Sequence, residues 1–185
     1  MNTKSINLKD YSNSSYKPGN KLKIFIWFFV NILFFKSSLP LPHFLKKYIL
    51  IIFGAKIGRG VFFKNNINIK YPWLLEIGND VWIGENVWID NLAKVKIEDN
   101  VCISQGAMLL CGNHDYKKSS FDLILGEIIL EEGSWVGAKS VVCPGVTLHS
   151  HAILAVGSIA TKDLDSYSIY QGNPAVKIRK RNIVE

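Results

Sequence analysis

One histidine in this chain of 185 residues stands where acid–base chemistry would put it. His114 lies in the polar run Cys111-Gly112-Asn113-His114-Asp115-Tyr116. An unperturbed imidazole titrates near pH ~6.5, so it can take a proton from an alcohol and release it again at neutral pH. A polar loop residue without catalytic work is the plainer reading of a lone histidine. Cys111, three positions earlier, admits a Cys–His nucleophile, but it directly follows an apolar anchor and packing explains it as well. His149 and His151 share a His-x-His spacing; no third histidine is placed to complete a zinc site, and no metal is expected. His43 lies among apolar residues and reads as structural. Near the end, Lys177, Arg179, Lys180 and Arg181 form a basic run that suits phosphate groups, or only a solvated face.

Composition bounds the frame that must position these residues. Apolar residues make up 48% and charged residues 20%, enough to bury a core in a single domain. Lys and Arg number 22 against 15 Asp and Glu, and the resulting charge of +7 favours an anionic partner. Nucleic acid is a poor candidate, because the basic cluster is short and lacks interleaved aromatics. Cys102, Cys111 and Cys143 are odd in number and show no CxxC spacing, which argues for a reducing, cytoplasmic setting. The strongest apolar run, residues 24–35, is short of the roughly 20 residues that a straight membrane span needs. Lys21 and Lys23 ahead of it imitate a signal peptide, but no small-x-small cleavage site comes after the run.

Residues 1–20 are rich in Ser, Asn, Lys and Tyr and read as a loose arm. Residues 21–53 hold two apolar stretches split by Ser37-Ser38-Leu39-Pro40-Leu41-Pro42, and the prolines predict two short helices with a stiff joint. Two roles are open to them: a cap on the end of the segment that begins at residue 54, or shallow contact with the inner face of a membrane, helped by Lys46 and Lys47. From residue 54 to 162 the apolar residues recur with a step of six, and residues 163–185 form a basic extension. Anchors fall at 57, 63, 69, 77, 83, 89, 97, 103 and 109, then at 130, 136, 142, 148 and 154. Glycine or another small residue often comes next, as in Ile77-Gly78, Ile83-Gly84 and Val136-Gly137. Neither the helical period nor the strand period of two fits; a hexapeptide β-helix does, with three hexapeptides closing each triangular coil.

The breaks in that step are informative. They come after anchors 69, 89 and 109, which lie on the same side of three successive coils. Every insertion therefore leaves from one corner. The third is long, a loop over residues 110–129 that contains His114, and long loops in compact solenoids usually carry function. Asp90 and Asn91 stand at the corner beneath it, and Tyr71 and Trp73 one coil lower. Trp82, Trp88 and Trp135 fall at outward or edge positions and suit subunit interfaces or a cofactor platform.

Several stretches together resemble the hexapeptide acyltransferases: residues 81–92, Cys102-Ile103-Ser104-Gln105-Gly106, Gly112-Asn113-His114-Asp115-Tyr116 and Gly172-Asn173-Pro174-Ala175. The likeness is nearest to the colanic-acid-biosynthesis acetyltransferases, relatives of the maltose, galactoside and nodulation-factor O-acetyltransferases, and covers about residues 20–181. It implies a left-handed parallel β-helix, an exception to the usual crossover handedness. It also implies homotrimers, with acetyl-CoA bound between neighbouring subunits and transfer made directly to an acceptor hydroxyl. His114 matches the family's general base. Ala138, Val156, Thr161 and Lys162 match positions lining the CoA channel, and Arg179 a position that meets the nucleotide phosphates. A second basic position of the family falls on Val176 here, with Lys177 beside it as the substitute. Asn86, Asp90 and Asn91 are the acceptor-side candidates.

The resulting expectation is an acetyl-CoA-dependent O-acetyltransferase acting on a sugar hydroxyl, free or lipid-linked, in surface-polysaccharide assembly. An N-acyltransferase on an amino sugar and a non-catalytic β-helix scaffold are the rivals.

Overall fold

The computed structural model describes residues 5–39 and 41–184; residues 1–4 of the arm and Pro40 of the joint lie outside them. Short parallel strands stack into three flat faces. The first holds Lys56–Ile57, Leu75–Ile77, Val95–Ile97, Ile128–Leu130 and Thr147–Leu148. Phe62–Phe63, Trp82–Ile83, Cys102–Ile103, Trp135–Val136 and Ile153–Leu154 make the second, which Ser168–Gly172 extends. Asn68–Ile69, Trp88–Asp90, Met108–Leu110, Val141–Val142 and Ile159–Ala160 make the third. The chain is thus a three-sided parallel β-solenoid of about six turns, as the step of six predicts.

The packing explains the period. Every anchor from Phe63 to Leu154 is at most 4% exposed, and together they form one continuous column. The corner between the second and third faces turns through a left-handed residue on each coil: Asn66, Asn86, Gly106, Lys139 and Gly157, with φ between 55° and 68°. Asparagine and glycine tolerate that conformation best. The glycine after an anchor answers a different need. A Cβ on Gly84 would stand 2.6 Å from the Gln105 nitrogen of the next coil, and one on Gly137 would stand 2.6 Å from the Leu154 oxygen.

Two helices precede the solenoid, α1 (Lys21–Val30), which runs on into a π turn over Asn31–Phe35, and α2 (His43–Ile52). Asn20 caps α1, its side chain accepting from the Leu22 and Lys23 amides. Trp27, Phe35 and Leu50 join the core column. Their polar neighbours answer a specific demand. In higher coils, Ile83 O and Ile89 O accept from Lys64 N and Lys70 N of the coil below. The matching carbonyls of the first coil, Phe63 O and Ile69 O, have no coil below, and accept instead from His43 Nδ1 (2.8 Å) and Trp27 Nε1 (2.9 Å). Lys46 and Lys47, which would assist the contact if the helices met a membrane, do related work: Lys46 Nζ donates to Lys64 O at 2.7 Å and Lys47 Nζ to Gly58 O at 2.6 Å. Burial lowers the Lys46 pKa from its ordinary value. At the far end Ala175–Lys180 folds back antiparallel on Ser168–Gly172, so the basic extension is a hairpin.

Candidate functional site

The long insertion is itself a hairpin. Gly112–His114 pairs antiparallel with Leu123–Leu125, with His114 opposite Leu123, and the turn between them projects from the corner that joins the third face to the first. His114 Nδ1 lies 2.9 Å from the carbonyl oxygen of Phe121. A carbonyl only accepts, so Nδ1 carries a hydrogen, and in the neutral ring the lone pair falls on Nε2. The Phe121 ring stacks on the imidazole (centroids 4.4 Å apart, planes within 7°), and Tyr11 meets it edge-on at 5.6 Å. One side chain is thereby fixed in tautomer and in orientation.

Beneath the hairpin the corner is stacked from three coils. Asn91 is fully buried; its Nδ2 donates to Tyr71 O at 2.6 Å and its Oδ1 accepts from Tyr71 N at 2.9 Å. It holds the corner together and has no surface to offer an acceptor in this chain, which corrects the reading of Asn91 as an acceptor contact. Asp90 beside it differs. Its Oδ1 is buried with no hydrogen-bond partner, and Lys70 Nζ stands 3.8 Å away. Cys111, directly above, is fully buried, and burial pushes its thiol up to about 11, so a Cys–His nucleophile has no thiolate at neutral pH.

Residues 5–20, expected as a loose arm, are laid against this corner. Asn7 N donates to Ser119 O at 2.9 Å, and Trp73 Nε1 donates to Pro18 O at 2.6 Å. Tyr16 Oη donates to Leu92 O at 2.6 Å. Burial, and then the neighbours Tyr71, Asp90 and Cys111, drive the Tyr16 pKa far up. Between arm and hairpin lies a cleft of about 500 Å³ lined by residues 12–17, Asp115, Lys118, Asp122 and residues 123–125. Periodicity gives no hint of Tyr11, Tyr16 or Phe121; two tyrosines in an otherwise polar arm are the only sign.

The other candidates divide between sites. Thr161 and Lys162 are exposed at the same corner as His114, at the upper end. Asn86, Ala138 and Val156 occupy the opposite corner, between the second and third faces, where Val156 is 67% exposed. There Asn86 is a left-handed turn residue whose Oδ1 accepts from Asn66 Nδ2. Arg179 lies on the returning strand and lines a cleft of about 630 Å³ with Trp135, Ile153, Ile169 and Lys180. Lys177 Nζ is paired to Asp165 Oδ2 at 2.9 Å. His149 pairs with Glu131 at 3.0 Å, and His151 stacks on Tyr167. Among the described residues no group of three His, Cys, Asp or Glu side chains is placed to hold a metal ion.

A three-sided parallel solenoid built on a step of six defines a class, the hexapeptide-repeat proteins. No family model matches the chain. The WcaF acetyltransferase of Escherichia coli, named for colanic acid biosynthesis, is 32% identical over 166 residues, 90% of this chain and 91% of that protein. A hexapeptide-repeat acetyltransferase from Vibrio cholerae superposes with a TM-score of 0.79 at 18% identity, covering 95% of this chain and 98% of its own. That protein has also been solved with acetyl coenzyme A. A galactoside acetyltransferase solved with coenzyme A gives a TM-score of 0.78 at 22% identity, over 87% of this chain and 82% of that one. The chain belongs to the hexapeptide-repeat acetyltransferases, and its solenoid is the left-handed parallel β-helix.

Proposed function

We propose that the protein transfers an acetyl group from acetyl coenzyme A to a sugar hydroxyl during surface-polysaccharide assembly, with His114 as general base. The observation that carries this reading is the bond from His114 Nδ1–H to Phe121 O, which in the neutral ring places the lone pair on Nε2, on a projecting hairpin. An alcohol attacks a thioester only as its proton departs, and Nε2 receives that proton. The imidazolium then returns it to the departing thiolate, so the enzyme ends as it began. Asp90, whose side chain stays 18% exposed at this corner although its Oδ1 is buried, is suited to accept from a second acceptor hydroxyl through the exposed part of its carboxylate. The names of the relatives, one for colanic acid biosynthesis and one for galactosides, support a saccharide acceptor.

His114 and Asp90 stand on one corner of the prism, whereas Asn86, Ala138 and Val156 stand on another. A site that uses both sets takes one from each of two neighbouring chains, which supports a homotrimer with sites between subunits. Thr161 and Lys162 would border the donor channel. Arg179, with Lys177 nearby, would meet the CoA phosphates. The test is thiol release from acetyl-CoA against a panel of neutral and amino sugars. Turnover with neutral sugars that His114→Ala abolishes supports the reading; turnover with amino sugars alone replaces it with N-acyl transfer.

A further inference from the structure

The outer side of the two N-terminal helices has the wrong polarity for a face turned to water. Trp27, Asn31 and Phe35 of α1 and its π turn point into the solenoid. The opposite side presents Leu22, Phe25, Ile26, Phe29, Ile32 and Leu33, each 41–66% exposed. α2 is inverted outright: Lys46 is 1% exposed, while Phe44, Tyr48 and Ile52 are 60–78% exposed. A solvated helix keeps its polar side outward, and an apolar surface of this extent marks a partner.

Charge identifies the partner. Residues 11–75 contain ten Lys and Arg and not one Asp or Glu, in a chain with 15 acids in all. Lys17, Lys21 and Lys36 are exposed and bracket α1. A second copy of this face would set like charges against each other, whereas anionic headgroups complement them. No helix among the described residues is long and apolar enough to cross a membrane, so the contact lies in the plane of the interface. The face also adjoins the candidate site. Phe28 and Ile32 line a cavity of about 240 Å³ together with Tyr71 and Lys70, the latter 3.8 Å from Asp90.

We infer that this face docks on the surface of an anionic phospholipid bilayer. Phe25, Phe29 and Leu33 enter the acyl boundary, and Lys21 and Lys36 meet the headgroups. The inference goes beyond acetyl transfer, and its readout needs no acceptor. Full-length protein is sedimented with vesicles of phosphatidylcholine alone and with vesicles containing about a third phosphatidylglycerol. Binding to the anionic vesicles is expected, weakened by added salt. The pair Phe25→Ser with Phe29→Ser should lower the partition coefficient at least tenfold, by roughly the burial of two phenyl groups. The pair Lys21→Glu with Lys36→Glu should lower it by about fivefold or more per lysine. An unchanged melting transition shows that each variant is folded. The inference fails if wild type ignores anionic vesicles or if folded variants bind like wild type. It fails equally if the phenylalanine variant lowers the mass of the protein in solution, because the face then joins copies of the chain.

Discussion

His114 and Phe121 are bound twice, by a hydrogen bond from Nδ1 to the Phe121 carbonyl at 2.9 Å and by parallel rings 4.4 Å apart. The carbonyl sets the tautomer and the ring sets the plane. Replacing His114 by Ala should cut turnover by about 10²–10⁴-fold without loss of fold. Phe121→Leu keeps the carbonyl and loses the stack, so its turnover should fall by no more than about tenfold. Steady-state kinetics with a competent acceptor checks both, and equal rates for His114→Ala and wild type would remove the base.

Adjacent residues 90 and 91 should separate cleanly by phenotype. Asn91→Ala strips the partners from the Tyr71 amide and carbonyl inside the corner, at a cost of about 3 kcal/mol. That corresponds to a melting temperature lower by roughly 6–12 °C. Asp90→Asn keeps the shape of the side chain and gives up only the long 3.8 Å pair with Lys70, so stability should hold within about 1 kcal/mol while KM for the acceptor rises. Thermal unfolding and acceptor titration on both variants give the comparison.

The corner should loosen in alkali. The Cys111 thiol ionises near its ordinary value of about 9.0 in the unfolded chain and at about 11 in the folded one, because burial disfavours the thiolate. Below pH ~9 the thiol is protonated in both states and costs nothing; above it only the unfolded chain loses the proton. Stability should therefore fall between about pH 9 and 11 by about 3 kcal/mol, with Tyr16 adding to the loss above pH ~10. Cys111→Ala should flatten the lower part of that decline in denaturant melts. The native thiol should also resist alkylation at neutral pH.

Two basic residues of the terminal hairpin should differ as well. Arg179 lines an open cleft, whereas Lys177 is engaged with Asp165. Arg179→Ala should weaken coenzyme A binding about tenfold and flatten its dependence on salt. Lys177→Ala should change it less than threefold. Calorimetry at two ionic strengths measures both, and an unaltered Kd for Arg179→Ala would take that residue out of the donor site.

The core was legible in the sequence because each anchor is set by its own hexapeptide, so a count of six reaches Phe63, Ile83 and Ile103 alike. The corner that bears His114 was legible for the same reason: an insertion disturbs the count and shows where it enters. Asn91 was not. The period says that Ile89 points inward, but whether a corner side chain two residues later turns in or out depends on the Tyr71 backbone one coil below. The arm was less legible still. Tyr16 finds its partner, Leu92, 76 residues away, and a polar segment carries no period that would announce such a contact.

The bonds from His43 and Trp27 to the lowest carbonyls of the solenoid also govern how large an object this sequence can make. A parallel coil is a mould for the next one, and nothing in the repeat itself tells the stack to end. Here the lower rung is occupied by imidazole and indole nitrogens and the upper one by a strand that reverses direction. A chain shorn of everything before Ala55 would expose a bare rung of unpaired carbonyls at its lower end, while the hairpin still closed the upper one. Its hazard would be association of two copies through that one open end, and the two helices are what keep the lower end shut.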